Sequence, residues 1–330
     1  MVPRRRVRYH ALRMALHLTE DDVEKTLTMD ACLEAVEGAL RQWAVGRAVN
    51  RPRSRAAVPG AILHVLPAAS SSLKRLAAKV YATAKGGVRF VVLLFDAGSA
   101  DLLAVIEADR LGQMRTGAAT GVATRCLAGA GAAILGILGT GWQARTQVQA
   151  IARVRTLREV RAWGRDRGRL IDFCAEVAKD TSVAVLPAAS AEAAVRGADI
   201  VVTATSAPTP VLKGSWLAPG THLNAVGSNR PDRREIDDDA VGRSNLIVVD
   251  SLEQARLEAG DLLLAAPPKG GPPLDRAVEL ADILSGRRPG RQDERQITLF
   301  KSLGIGLEDL AVASLAYDRA IALGLGRPIG

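Results

Sequence analysis

Residues 133–144, AILGILGTGWQA, decide the fold of this 330-residue chain. Residues 133–138 form an apolar run of strand length. Gly139-Thr-Gly141-Trp142-Gln143-Ala144 follows without a spacer and opens a helical pattern from about residue 142. Each small residue has a physical task. Gly139 permits the tight turn, Gly141 lacks the Cβ that would keep a diphosphate off the backbone, and Ala144 lets helix and strand pack closely. The first helical turn leaves N–H groups unpaired and carries partial positive charge, which suits phosphate. The pattern predicts a dinucleotide site. The plainer reading of the same residues is a glycine-rich turn without a ligand.

Downstream, apolar runs over 160–163, 183–186, 200–203, 222–226 and 246–250 are separated by helical patterns, the first through Phe173 and Val177 and the second over 191–197. This alternation predicts an α/β fold with a Rossmann-type doubly wound parallel sheet. The second strand ends in Trp163-Gly164-Arg165-Asp166-Arg167. An acid directly after that strand would take the ribose 2′-hydroxyl of NAD(H). Gly164 and Arg165 stand there instead, and guanidiniums suit a 2′-phosphate. The expectation is therefore NADP(H) rather than NAD(H), with Asp166 as the counter-argument. Upstream, 19–43 reads as two helices with Thr19 and Thr28 as caps. A basic turn follows at 51–55, then β-like runs at 61–66, 79–83, 88–95 and 102–106. Asp96-Ala97-Gly98 closes the third run as a hairpin turn. This first third predicts an α+β unit with an antiparallel sheet. Residues 297–323 return to helical spacing, and the loops at 267–273 and 285–291 carry no evident chemistry.

Composition narrows the function classes. The chain is 48% hydrophobic, which excludes a disordered protein. No apolar run reaches the length of a membrane helix. Cys32, Cys126 and Cys174 are far apart and make no CxxC pair, so neither a disulfide framework nor a zinc site is expected. A reduced, cytoplasmic protein is the expectation. The net charge of +9 is concentrated: five of those charges are Arg4, Arg5, Arg6, Arg8 and Arg13, which read as a solvated tail or as residues upstream of a true start at Met14. Aromatics are 3%, too few for a base-stacking platform, so no nucleic-acid partner is expected.

Five stretches, in order, are similar to the ornithine cyclodeaminase/mu-crystallin family: MRTGAATGVATRCLA (114–128), LGTGWQA (138–144), THLNAVGSNRPDRREID (221–237), DSLEQARLEAGDL (250–262) and LFKSLGIGLEDLA (299–311). The resemblance implies a homodimer acting on a small amino or imino acid with NAD(H) or NADP(H). It implies a substrate-binding and dimerisation domain of residues 1–125 with 303–330, and a Rossmann domain of residues 126–302 between them. It implies that Arg53 (with Arg55 as the neighbouring candidate), Lys79 and Arg115 bind the substrate carboxylate, Lys79 also serving the catalytic side. Forked guanidiniums suit that task. Arg115 is expected just before a small-residue helix start at Thr116. Thr116, Thr205, Gly227 and Ser228 are implied cofactor neighbours, Gly227 by letting the backbone approach the nicotinamide. Lys301 and Ser302 are implied to face the cofactor.

The chain departs from the family pattern at two positions. Asn229 stands where the cyclodeaminases and the alanine dehydrogenase branch place an aspartate. An amide can orient an amine, imine or water but cannot take its proton. His64 stands where ornithine cyclodeaminases have a glutamate near the substrate, and a histidine can exchange a proton near neutral pH. Loss of both carboxylates removes the grip on a distal ammonium and the base for water attack. The expected activity is reduction of an α-imino acid or cyclic ketimine by hydride transfer, or oxidation of the matching amino acid. Ornithine cyclodeaminase activity, and a dinucleotide-dependent binding protein without turnover, are the alternatives.

Overall fold

The computed structural model describes residues 14–267 and 271–329, so the arginine cluster at 4–13 lies outside the described residues. In chain order the first lobe contains β1 (Ala15–Leu18), α1 (Glu20–Thr26), α2 (Met29–Ala44), β2 (Ala48–Asn50), β3 (Ser54–Val58), β4 (Ala61–Ser70), β5 (Arg75–Ala84), β6 (Gly87–Asp96), β7 (Leu102–Glu107) and α3 (Asp109–Leu127). There follow β8 (Ile134–Leu138), α4 (Trp142–Val154), β9 (Glu159–Trp163), α5 (Arg167–Thr181), β10 (Ala184–Pro187), α6 (Ala191–Val195), β11 (Ile200–Thr203), β12 (His222–Ala225), α7 (Asp238–Arg243), β13 (Leu246–Val249), α8 (Leu252–Glu258), α9 (Gly260–Leu263), β14 (Ala277–Glu279), α10 (Leu280–Leu284) and β15 (Thr298–Lys301). The chain then returns to the first lobe as α11 (Gly306–Leu323) and β16 (Arg327–Ile329).

Two eight-stranded sheets result. The first runs β16-β1-β7-β6-β5-β4-β2, with β3 beside β4; β4 to β7 are antiparallel, and β1 lies parallel to β7. The second runs β10-β9-β8-β11-β12-β15-β13-β14 and is parallel throughout. Its order reverses direction between β8 and β11, which opens a crevice at the carboxyl ends of the strands. Helices α2, α3 and α11 bury one face of the first sheet through Leu33, Leu40, Val92, Leu94, Ile106, Leu111, Val122 and Leu310. Among the described residues no helix is long and apolar enough to cross a membrane.

The predicted local signals act as their chemistry requires. Thr19 and Asp22 form a reciprocal capping box on α1, and Thr28 caps α2. Asp96 Oδ1 accepts from the N–H groups of Gly98 and Ser99 at 2.8 and 2.9 Å and fixes the hairpin turn.

Three expectations are corrected. Helix α3 starts at Asp109, not at Thr116, because the Glu20 carboxylate accepts from the N–H groups of Asp109 and Arg110 and closes its open end. Residues 298–301 are a strand rather than helix: Thr298, Leu299, Phe300 and Lys301 are wholly buried between β12 and β13. The basic turn ends earlier than expected, since Ser54 and Arg55 already pair with β4. Helix α3 joins the lobes, and glycines set its distance. A Cβ on Gly117 would lie 2.5 Å from the Thr146 carbonyl oxygen, and one on Gly121 would lie 2.6 Å from Leu33. Substitution would force α4 or α2 away.

Candidate active site

A cleft of about 1520 Å³ separates the lobes at the carboxyl ends of the second sheet. On one wall, Gly139 has φ +112 and its absent Cβ would sit 2.3 Å from the Ala204 carbonyl oxygen, so only glycine makes this turn. Gly141 differs: a Cβ there would meet nothing within 4 Å, which leaves free space against the backbone. Helix α4 begins next, with Gly141 as a cap that brings no side chain to its N–H groups. Gly139, Gly141, Trp142 and Gln143 line the cleft, while Ala144 is buried behind them in the core. These residues fit a dinucleotide diphosphate. Further along the wall, Arg165, Asp166 and Arg169 line the cleft, and Arg165 and Arg167 are exposed. The Asp166 carboxylate accepts from Arg169 N–H at 3.0 Å as the cap of α5.

The loops after β11 and β12 form the floor. Thr205 donates to Glu235 Oε1 through its N–H at 2.6 Å and its hydroxyl at 2.7 Å. Gly227 N–H and Thr203 Oγ1 donate to Glu235 Oε2 at 2.6 and 2.9 Å. Glu235 therefore fastens both loops, and burial, with Asp261 next in effect, pushes its carboxyl up from the ordinary range. Gly227 lines the cleft, and the loop after β11 also requires a glycine there: a Cβ would lie 2.2 Å from the Thr205 carbonyl oxygen. Ser228 is buried, and its hydroxyl donates to the Arg233 carbonyl and accepts from Arg230 N–H, so it turns from the cleft. Lys301 is likewise corrected. It is wholly buried, pairs with Asp261 at 2.9 Å and donates to the carbonyls of Ala225 and Ser228. Ser302 does line the cleft, as does Thr116, whose hydroxyl is held by the Gly112 carbonyl at 2.7 Å.

The facing wall is cationic. Arg53, Lys79 and Arg115 are brought together there, all buried and all paired with acids. Lys79 Nζ donates to Asp309 Oδ1 at 3.1 Å. Arg115 donates from Nε to the same oxygen and from Nη1 to Glu308 Oε2, both at 3.0 Å. Arg53 Nη1 donates to Glu258 Oε1 at 2.5 Å, and its Nη2 to the carbonyls of Leu303 and Gly304. Arg55, on β3, pairs with the other oxygen of Glu258 and donates to the Asn229 backbone carbonyl. These contacts leave donors over. A guanidinium has five N–H groups and an ammonium three. Arg115 uses two and Lys79 one, and Arg53 Nε has no partner. The remaining donors suffice for a carboxylate, and the acids fix the cations that present them.

Burial lowers Lys79 to about 8, with Asp309 opposing the fall. Burial raises Glu308 to about 8 against the pull of Arg115. His64 does not bear out its expected proton exchange near neutral pH. Burial, then Arg55 and Arg53, lower it to about 4, so the imidazole is neutral. It stacks on Tyr81 at 4.2 Å and bonds Thr83 Oγ1 through Nε2. With Tyr81, Phe90, Ile62 and Val88 it makes an uncharged wall beside the cations. Asn229 lines the cleft opposite; the Asp232 carboxylate lines it three residues further on, paired with Arg230 at 2.9 Å. Among the described residues no group of three or more His, Cys, Asp or Glu could hold a metal ion.

Sequence reading missed Glu235, Glu258, Glu308 and Asp309. Glu308 and Asp309 did carry a signal. They interrupt an otherwise apolar segment, LGIGLEDLAVASLA, where buried acids require cationic partners. Glu235 sits in the charged run 232–239, where nothing marks the one acid that turns inward.

A family model described as the ornithine cyclodeaminase/mu-crystallin family matches residues 14–323. The ketimine reductase mu-crystallin of Mus musculus is 36% identical over 320 residues, spanning 93% of this chain and 97% of that protein. The structure of Thermococcus litoralis Delta(1)-pyrroline-2-carboxylate reductase in complex with NADH and L-proline superposes with a TM-score of 0.90 at 35% identity, covering 95% of this chain and 100% of the other. An archaeal alanine dehydrogenase dimer with bound NAD superposes with a TM-score of 0.88 at 29% identity, covering 96% of this chain and 99% of the other.

Proposed function

Because the chain belongs to the ornithine cyclodeaminase/mu-crystallin family, we propose that it is an NAD(P)H-dependent reductase of α-imino acids, cyclic ketimines above all. The observation that carries this reading is the pairing, across one cleft, of a glycine turn with open space at Gly141 and a buried cluster of Arg53, Lys79 and Arg115. When bound, the reduced nicotinamide supplies a hydride. The chain's own residues do the rest. Arg115, Lys79 and Arg53 grip the α-carboxylate and fix which face of the C=N bond is presented, a proximity effect. The neutral His64, Tyr81 and Phe90 wall favours a substrate without a charged side chain. Lys79 retains a proton at Nζ at neutral pH that can pass to the substrate nitrogen. Asn229 orients the nitrogen without removing its proton. A cyclodeaminase would need a base for water attack at that position, so ornithine is not the proposed substrate.

Three finer points complete the proposal. Residues 14–125 with 303–329 hold the substrate and 126–302 hold the nucleotide. NADP(H) is preferred over NAD(H), because Asp166 spends a carboxylate oxygen as a helix cap while Arg165 lines the cleft, exposed, where it can receive a 2′-phosphate. The protein works as a homodimer through the face of its first sheet opposite α2, α3 and α11.

The test is a coenzyme-oxidation screen with NADH and NADPH against pyrroline-2-carboxylate, piperideine-2-carboxylate and pyruvate plus an amine, with ornithine and NAD as control. Oxidation with a cyclic imino acid is expected, faster with NADPH. Ammonia release from ornithine, or tight nucleotide binding with no turnover of any imino acid, would overturn the proposal.

A further inference from the structure

We propose that Asp309 is a positioning residue for this reduction: one of its carboxylate oxygens seats both Lys79 and Arg115, and so sets the spacing and the charge of the pair that receives the substrate. The proposal rests on the reading of the cleft just given. Asp309 Oδ1 accepts from Lys79 Nζ at 3.1 Å and from Arg115 Nε at 3.0 Å. The two cations come from different elements, β5 and α3, and Asp309 lies in the first turn of α11, so three elements meet at this atom. The backbone is cut to admit them. A Cβ on Gly112 would lie 3.0 Å from Lys79 Nζ, and one on Gly304 would lie 2.3 Å from Arg115 Nη1. The Asp309 side chain is 1% exposed, which keeps it from solvent and behind the cations.

Two cations held side by side in a dry site repel, and only an opposing charge keeps both ionised. Lys79 faces Asp309 from α11, Arg115 from α3, Arg53 from the segment before β3, and the Phe90 ring of β6 at 5.0 Å. Burial, Arg115 and Arg53 favour the neutral amine; Asp309 favours the ammonium. Arg115 cannot yield its charge instead. Glu308 cannot replace Asp309, because it bonds Arg115 alone and burial disfavours its own ionised form. Asp309 thus acts through Lys79.

The test is Asp309→Asn, which keeps the shape and removes the charge. The alkaline limb of kcat/KM is expected to move down by roughly one to three pH units. The KM for the imino acid should rise about tenfold or more at pH 8 and far less at pH 6, with nucleotide Kd unchanged. A folded variant whose alkaline limb stays in place overturns the proposal. Where thermal melting shows that Asp309→Asn does not fold, Asp309→Glu decides. It keeps the charge on a chain one methylene longer, so its limb should stay at the parent pH while KM changes; a limb displaced downward overturns the proposal. A second readout needs no turnover. Lys79 is acetylated with acetic anhydride at pH 7 and followed by mass spectrometry. It should react faster in Asp309→Asn than in the parent, and equal rates overturn the proposal. Failure of the parent protein to reduce any imino acid would sink the functional reading, while the labelling rates still judge Asp309.

Discussion

Arg165 and His222 show how differently single residues disclose themselves. Arg165 is conspicuous in sequence, because it follows the second strand of a dinucleotide fold where an acid would otherwise stand. The structure puts it on the cleft wall, exposed. If it receives a 2′-phosphate, Arg165→Ala loses a charge-assisted contact, of order 1.5–3 kcal/mol. KM for NADPH should then rise about tenfold or more in steady-state assays, while KM for NADH stays put; equal effects on both would remove the argument for NADP(H). His222 carries no comparable sign in the sequence. It is wholly buried, bonded to Thr298 and Asn224, and burial lowers it to about 3. In the unfolded chain its pKa is near 6.5. Between those values the unfolded state binds a proton that the folded state refuses, so stability rises with pH across that window and is lost as pH falls. Thermal melts from pH 7 to pH 4 should show this acid loss, with a slope of up to about 1.4 kcal/mol per pH unit from His222. The His222→Gln variant should have a shallower slope, and an unchanged slope would refute the assignment. The cations of the site were legible as residue types within motifs. Of the buried acids, Glu308 and Asp309 were legible as charges inside an apolar segment, whereas Glu235 was not, because an acid in a charged run looks solvated until the tertiary fold buries it.

Helix α3 is the element on which both lobes depend, and sequence gave it the wrong start. A run such as MRTGAATG lacks the large apolar stripe that marks a helix. Its small residues serve close approach instead, at Gly117 against α4 and Gly121 against α2. Strand β15 was hidden for a related reason. Four residues buried on both faces show no alternation, and a helical pattern nearby absorbs them. The far end of α3 is held with unusual completeness. Arg155 donates to the carbonyls of Thr124, Arg125, Ala128 and Gly129, and Arg291 donates to that of Leu127. Guanidiniums at a helix C-terminus satisfy its open carbonyls and oppose its dipole. Arg155→Ala should therefore destabilise the protein by about 1.5–3 kcal/mol in urea unfolding. Arg155→Lys should recover little of it, since one ammonium cannot span four carbonyls. Full recovery by lysine would mean that charge alone, not the fork, does the holding.

At the scale of the whole molecule, helices α2, α3 and α11 cover one face of the first sheet, and among the described residues the side chains of the other face are part-exposed. Its strands alternate, so Lys79 and Tyr81 point toward the cleft side and Ala78 and Val80 toward the other. On that other face the registered neighbours are apolar: Val65 beside Val80 beside Val91, Ala78 beside Leu93, and Leu76 beside Phe95. Leu63 and Leu76 are 44% and 41% exposed there. A continuous apolar face of this kind is a poor surface to leave in water. The proposed homodimer would cover it, since a face that meets its own copy about a two-fold axis pairs like with like. The same strands that would form the contact carry the cation wall on their opposite side, so separating the subunits should loosen Lys79 as well. Val80→Lys together with Leu93→Lys places like charges on both partners. Light scattering after gel filtration should give the 34.8 kDa of one chain for this variant, and twice that for the parent. Imino-acid reduction should fall with the mass. A parent already monomeric at micromolar concentration would exclude the contact, and a monomeric variant with full activity would uncouple the interface from the site.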